Sequence, residues 1–564
     1  MKKKIMIALS SIFIILFLFL FFFQPIESIY DITKGKEFSI KDENNQEILH
    51  LINQHKTTPI NIEKMNKKNI DILLTIEDKS FYQHSGFNIG RIFKTIFSNL
   101  KNNKSEGAST ITQQYIKNVY LSNNKTLSRK IKELYYAIKL EQAVPKNQIL
   151  EGYLNCIYLG NDIYGIADAS HYYFNKSYED LSIKEMTTFV ALLNAPTYYS
   201  ENIEKLNERK NILLKSLLKQ NVITNEEYET TITPIQFHYN KNIYNSNLLF
   251  YVDQVLKEYE KINIPNKFNQ VIEIETAYRP SMNEIKFNTD GDYASISVNK
   301  EGYILSLIGG KDYTSSKFNI ATKGKRDIGS TIKPLLYYEA LKCGFSTNKS
   351  YYSSPYSFTY QNEKVTIKNN NSNYPNRNIT MKEALAASDN IYAIKMHQEL
   401  GFKTLANHLK KYKIDTDPLP SLALGSIGMS LYDLTRIYTQ FFTEGKYYSL
   451  STIRTVKVRN KVLYTKQPKY KILGESKYFK QIKDLMQYTF DSTIPNATAA
   501  NLSPYLKNKC YGKSGSTLYD SYMIGFNEKV LVSAWSGYID NKELNEIEIK
   551  QLARKLFVNQ INFG

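Results

Sequence analysis

The sequence predicts a multidomain fold: an N-terminal transmembrane helix, then a mostly α domain, then an α+β domain. Three observations carry this. The 564 residues exceed what one hydrophobic core organises, and 42% apolar content is that of folded rather than disordered chains. Apolar residues recur at helical spacing over roughly residues 50–215, then at strand spacing in short runs after residue 290. Lys2-Lys3-Lys4 precedes an apolar run, Ile5 to Phe23, interrupted only by Ser10 and Ser11.

That run of 19 residues would span about 28 Å as a helix, close to the ~30 Å hydrocarbon core. A cleaved signal peptide is the rival reading, but "FFFQPIESIY" offers no A-x-A-like cleavage site. The run reads as a signal-anchor over 5–23. Its preceding lysines keep residues 1–4 cytoplasmic and put the rest outside the membrane. Residues 24–50 are polar and read as a stalk.

The helical domain is expected over 51–215. "LSRKIKELYYAIKLE" places Leu127, Ile131, Leu134 and Ile138 on one stripe. "NQILEGYLNCIYLG" does the same with Leu150, Tyr153, Leu154 and Ile157, with Gly160 as a C-cap. "SIKEMTTFVALLNAP" opens on a capping box, Ser182 with Glu185, and stops before Pro196. Residues 216–275 are Asn-rich, poorly patterned, and read as a linker. From 276 the α+β domain begins: "YASISV", "YILSLIGG", "YMIGF" and "KVLVSAWSGY" read as strands, "MKEALAASDNIYAIKMHQEL" and "MSLYDLTRIYTQFF" as helices.

Lys+Arg minus Asp+Glu is 73 − 54, or +19. That excess suits a polyanion, whether nucleic acid, anionic lipid or a phosphorylated substrate, although heavy Lys, Asn, Ile and Tyr usage explains it as compositional bias too. No nucleic-acid module is visible. Cys156, Cys343 and Cys510 are far apart without CxxC, which argues against a disulfide framework. No HExxH or Cys/His cluster suggests a metal site.

Chemistry enters at "RDIGSTIKP", Arg326 to Pro334, where Ser330 precedes Lys333 by three residues. The same spacing recurs at Ser98, Ser122, Ser216, Ser297 and Ser346, so spacing alone decides nothing. Here, however, Gly329 permits a tight turn, "TIKPLLYYEAL" reads as helix, and Pro334 fits only its first turn. Ser330 and Lys333 then share one helix face at an N-terminus. A lysine can take a serine proton only if its pKa is depressed, and a helix N-terminus offers N–H groups to an oxyanion. The plain alternative is an N-capping serine beside a solvated lysine. Ser388-Asp389-Asn390 follows downstream, and Lys513-Ser514-Gly515 further on.

This ordered set, Ser-x-x-Lys, Ser-x-Asn and Lys-Ser/Thr-Gly, resembles the transpeptidase domain of penicillin-binding proteins. The resemblance implies an α+β serine transpeptidase with an antiparallel sheet flanked by helices. It implies that Ser330 attacks the penultimate D-Ala carbonyl of a stem peptide with Lys333 as base. Ser388 would relay the proton to the leaving amine, and Asn390 would orient substrate and Lys333. Lys513 would add positive potential that depresses Lys333. Ser514, Gly515, Ser516 and Thr517 would hold the donor, with the N–H groups of Ser330 and Ser516 as oxyanion hole. Ser514 stands where Thr is usual, but the hydroxyl is kept.

The first half, through "EDKSFYQHSGFN", "GASTITQQYIKN", "RKIKELYYAIKLE" and "ILEGYLNCIYLGNDIYG", resembles the lysozyme-like glycosyltransferase domain of class A penicillin-binding proteins. That resemblance implies polymerisation of lipid II with inversion and loss of undecaprenyl pyrophosphate. Glu77 is nominated as general base, and Lys117, Lys125 and Lys130 as pyrophosphate partners. Family members commonly carry Arg at the Lys125 position, which loses bidentate contact here. Glu133 would position a divalent ion or the sugar, and Ser109 and Gln114 would line the donor site. No cofactor is required; a divalent cation, Mg, is the one candidate assistant to pyrophosphate departure. "FNIGRIFKTIFSNLK", 87–101, reads equally as a membrane-inserting segment and as a core helix. Expected partners are lipid II and nascent peptidoglycan, β-lactams as inhibitors, membrane lipid, and cell-wall or division machinery. The expected place is the bacterial cell membrane. The rival function is a glycosyltransferase whose penicillin-binding domain is a sensor or scaffold.

Overall fold

The computed structural model describes residues 37–563, apart from 53–54, 89–108, 121–125, 241–244, 263, 265–270, 314, 459 and 467–468. The expected tail and anchor, Lys125 and nearly all of 87–101 lie outside the described residues. Among the described residues no helix is long and apolar enough to cross a membrane.

The expected stalk is corrected by what its second half does. Strands β1 (Glu37–Lys41) and β2 (Glu47–Ile52) form an antiparallel hairpin, and β3 (His55–Thr57) adds to β2. Phe38, Ile40, Leu49 and Leu51 alternate inward, the period-2 pattern of a half-buried strand. The polar residues between them hide that pattern in the sequence.

The helical domain follows. Helix α1 (Lys67–Glu77) is capped by Asn66, α2 spans Ile111–Tyr120, α3 spans Leu127–Ala143 behind Thr126, and α4 spans Lys146–Cys156. In α4 the stripe Leu150, Tyr153 and Leu154 is buried as expected, with Ile157 just beyond. Gly160, however, is not its cap; it takes φ +88° in the following turn, where a Cβ would lie 2.7 Å from the Ser200 side chain. The α3 stripe is corrected. Ile131 is 50% exposed, while Tyr135, Tyr136 and Ala137 pack with Ile116 of α2. The helix is turned so that buried Glu133 faces inward too. Helix α5 (Ile183–Leu192) has the predicted Ser182–Glu185 capping box, and α6 (Ile203–Lys219) closes the core around Leu206, Leu214 and Leu217.

The expected linker is also corrected. It contains a helix over Asn225–Thr231 and α7 (Ser246–Tyr259), whose Leu249, Phe250, Val252 and Val255 enter the core of the second domain. Next comes β4 (Ile272–Thr276), which pairs parallel with β1. Strands β5 (Asp292–Asn299) and β6 (Ile304–Ile308) open a five-stranded sheet. A short 3-10 turn, Gly329–Ile332, runs into α8 (Lys333–Lys342). The long helix expected around residue 388 is two helices, Met381–Ala386 and α9 (Asn390–Leu400). Helix α10 (Leu431–Phe442) precedes β7 (Ile453–Val458) and β8 (Lys461–Thr465). Then β9 (Tyr511–Ser516), β10 (Asp520–Phe526), β11 (Val530–Gly537) and α11 (Ile547–Ile561) complete the domain.

Two sheets organise this. The bridging sheet has order β8-β7-β4-β1-β2-β3, so strands from before the helical domain pair with strands of the second domain. Ile40, Ile274, Ile453 and Val456 are fully buried there, each contributing about 1.5–3 kcal/mol by burial. The five-stranded sheet has order β9-β10-β11-β5-β6, antiparallel throughout. It is covered on both faces: Leu531 and Trp535 of β11 join one core, Val530, Val532 and Ala534 the other. That explains why these strands read as continuous apolar runs rather than alternating ones.

Candidate active sites

In the second domain, Gly329 takes φ +54° and turns the chain into α8. The turn presses against β9, where a Cβ on Gly329 would lie 2.9 Å from the Ser516 carbonyl. From the other side, a Cβ on Gly515 would lie 2.7 Å from Thr331 Cγ2. Two glycines therefore let the strand and the turn bearing Ser330 touch. Neither the 3-10 turn nor α8 has a side-chain cap, so the capping role weighed for Ser330 is not used. Lys333 is 0% exposed, which removes the solvated-lysine alternative.

The Lys333 ammonium points at the break between the two helices. Its Nζ donates to the carbonyls of Ser388 (2.7 Å) and Asp389 (3.3 Å), to Asn390 Oδ1 (2.7 Å) and to Ser388 Oγ (3.4 Å). Ser388 adopts φ +58°, the left-handed region, at a cost of about 1 kcal/mol or more. That turn aims two consecutive carbonyls at one amine. Burial lowers the Lys333 pKa to about 7, against the opposing pull of the Asp389 carboxylate.

Lys513, on β9, is also 0% exposed, and its Nζ donates to the Ser514 carbonyl (2.9 Å). Burial first, then the charges of Lys333 and Arg554, drive it well below the usual lysine range. Burial is the main cause of the Lys333 shift, and the repulsion between the two lysines registers on Lys513. Ser514 Oγ donates to Thr498 Oγ1 (2.7 Å), and Asn370 Nδ2 donates to Ser516 Oγ (3.4 Å). Thr517 stands apart from these. Its hydroxyl accepts from the N–H groups of Tyr519 and Asp520 and donates to Asp520 Oδ2 (3.0 Å), which commits it to the β9–β10 turn.

In the helical domain, Glu77 is the last residue of α1. Gln114 Nε2 donates to its Oε2 (2.9 Å), and the buried Tyr153 hydroxyl donates to Gln114 Oε1 (3.3 Å). Asp78 is turned the other way. Its Oδ2 accepts the Ile111 N–H (3.0 Å) at the start of α2 and pairs with His84 Nε2 (2.9 Å). Of this acidic pair, Asp78 is the helix cap. Lys130 Nζ donates to Ser109 Oγ (2.6 Å) and to Glu133 Oε1 (2.5 Å), so a half-exposed lysine is tied to a buried carboxylate. Burial lowers the Lys117 pKa; Glu133 opposes this, while Arg129 and Lys130 add to it. Lys117, Arg129, Lys130 and Glu133 are thus one charged cluster. A cavity of about 370 Å³ opens beside it, and Gln114, Lys117 and Tyr153 line its wall.

Sequence reasoning missed Arg129, Thr498 and Asn369. Arg129 lies one turn before Glu133, a spacing that could have nominated it. Thr498 and Asn369 sit in irregular segments with no pattern to mark them.

One domain thus pairs a carboxylate with a cationic cluster beside a polar cavity. The other places a buried lysine of depressed pKa one turn after a serine at a helix start. Residues 44–218 match the Transglycosylase family and residues 294–543 the penicillin binding protein transpeptidase domain. Penicillin-binding protein 2D of Bacillus subtilis is 32% identical, across 88% of this chain and 76% of its own length. Penicillin-binding protein 1F of the same organism is 30% identical, across 88% of this chain and 73% of its own. The crystal structure of penicillin-binding protein 1A from Haemophilus influenzae shares the fold, with TM-score 0.59 at 17% identity, covering 94% of this chain and 92% of that one. This chain belongs to the class A penicillin-binding proteins, the bifunctional peptidoglycan synthases.

Proposed function

We propose that the two clusters perform the two reactions as follows. In the helical domain Glu77 takes the proton from the 4-hydroxyl of lipid II, and Gln114 holds its carboxylate in place. That oxygen displaces the lipid pyrophosphate of the growing strand with inversion, so no covalent glycosyl-enzyme forms. Lys117, Arg129 and Lys130, with Lys125, balance the charge of the departing pyrophosphate, and Ser109 and Glu133 fix Lys130. Glu133 is also the residue that would hold Mg²⁺, were a cation to assist.

In the second domain neutral Lys333 accepts the Ser330 proton as Oγ attacks the penultimate D-Ala carbonyl. Developing charge falls on the carbonyl oxygen, which the N–H groups of Ser330 and Ser516 receive. The amide bond then breaks, Ser388 passes the proton to the leaving D-Ala amine, and a second stem peptide's amine resolves the ester. The donor carboxylate meets the hydroxyls of Ser514 and Ser516 and the Lys513 amine. The observation that carries this reading is Lys333, buried one turn after Ser330 and held by three consecutive residues, Ser388 to Asn390. Anchoring in the bacterial membrane rests on the 5–23 run and on a lipid-linked substrate. Contacts with wall or division proteins are expected from that setting.

The test uses purified protein, lipid II and a fluorescent penicillin. Wild type polymerises and cross-links, and penicillin stops only cross-linking. Ser330→Ala loses labelling but polymerises; Glu77→Gln does the reverse. Polymerisation by Glu77→Gln at the wild-type rate contradicts the base assignment. Absence of cross-links in the wild type favours the sensor reading.

A further inference from the structure

The stretch "IKNNNSN", Ile367 to Asn373, has no role in the reaction as described above, yet it wraps the Lys333 partners. Asn369 Oδ1 accepts the Asn390 N–H (2.8 Å), a first-turn donor of α9 with no partner inside that helix. Asn369 Nδ2 donates to Asp389 Oδ2 (2.6 Å), to the Asn373 carbonyl (3.1 Å) and to Ser353 Oγ (3.5 Å). Next to it, the Lys368 carbonyl accepts Asn390 Nδ2 (3.0 Å). This last bond decides which way the Asn390 amide faces. With its NH₂ on a carbonyl, its Oδ1 must face Lys333; flipped, it would set one donor against another.

We propose that Asn369 is a positioning residue for acylation, fixing Asp389 and Asn390 so that Lys333 meets only oxygen acceptors beside Ser330. Asn369 touches no reacting atom; it acts through Asn390 and Asp389. The charged groups around Lys333 are Asp389 at the start of α9 and Lys513 on β9, with Arg554 of α11 beyond Lys513. Of these, only Asp389 touches Asn369. A carboxyl at position 369 would stand where the amide now donates to Asp389 Oδ2 (2.6 Å), so it would enter protonated and share that proton with Asp389.

The inference rests on the Ser330–Lys333 reading, and its test separates the two. Acylation by fluorescent penicillin is followed against pH for wild type, Asn369→Ala, Asn369→Asp and Asn373→Ala, with melting temperatures alongside. Asn373→Ala is the control, since that residue contributes its backbone carbonyl. Asn369→Ala is expected to acylate on the order of 10- to 100-fold more slowly. Asn369→Asp keeps the acceptor for the Asn390 N–H and, protonated, the donor to Asp389, so it is expected to recover most of the rate that Asn369→Ala loses, a rescue that general loosening would not produce. An Asn369→Ala rate equal to wild type, or an Asn369→Asp rate no better than that of Asn369→Ala, overturns the inference while wild type is still acylated. No acylation of wild type defeats the underlying reading instead.

Discussion

A lysine serves as a base at neutral pH only when its surroundings refuse the charge. At Lys333 burial supplies that refusal, from the usual value of 10.5 to about 7. The same shift costs stability, and its sign can be worked out. Between about 7 and 10.5 the unfolded chain holds a proton that the native site lacks, so stability rises with pH across that window. Below it both states are protonated, and the whole penalty of a buried ammonium stands. Lys333→Met should therefore melt higher than wild type at about pH 6, with the advantage shrinking towards about pH 10, and should lose penicillin labelling throughout. A variant less stable than wild type at about pH 6 would mean that the hydrogen bonds to Ser388, Asp389 and Asn390 outweigh desolvation.

Elements meet at this site through absent side chains. Strand β9 reaches the Ser330 turn because Gly515 has no Cβ to strike Thr331 Cγ2 or the Ile328 carbonyl, 2.9 Å away. Gly515→Ala is expected to lower acylation on the order of 100-fold by moving β9 off the turn, leaving polymerisation untouched; acylation within about twofold of wild type contradicts that packing. Much of this was legible in the sequence. The catalytic strands, α4, α5, α10 and the Ser330 turn announced themselves by periodicity, capping or Gly/Pro punctuation. The break at Ser388 did not, because a single left-handed residue leaves helical spacing intact on both sides. The exposed Ile131 misled because α3 buries Glu133 and aromatic residues for the sake of its site. Hairpin β1–β2 escaped because its partner β4 lies more than two hundred residues away in the chain.

At the scale of the molecule, the bridging sheet explains how one chain keeps two chemistries apart yet connected. Strand β3 shows this with three residues. His55 stacks on Tyr164 of the helical domain (3.7 Å between rings), and Thr57 donates to the Asn155 carbonyl. Lys56, on the opposite face, lies 4.4 Å over the Tyr313 ring of the second domain. The sites themselves share no residue, which is why Glu77 and Ser330 variants are expected to separate the activities. What the account stands on is that Ser330 is acylated with the help of a neutral amine. The most direct measurement is the rate of penicillin acylation of wild type as pH is raised from about 5 to about 9. It should climb through an acid limb near about 7 and level off. A rate flat across that range, or a limb close to the usual lysine value, would contradict it.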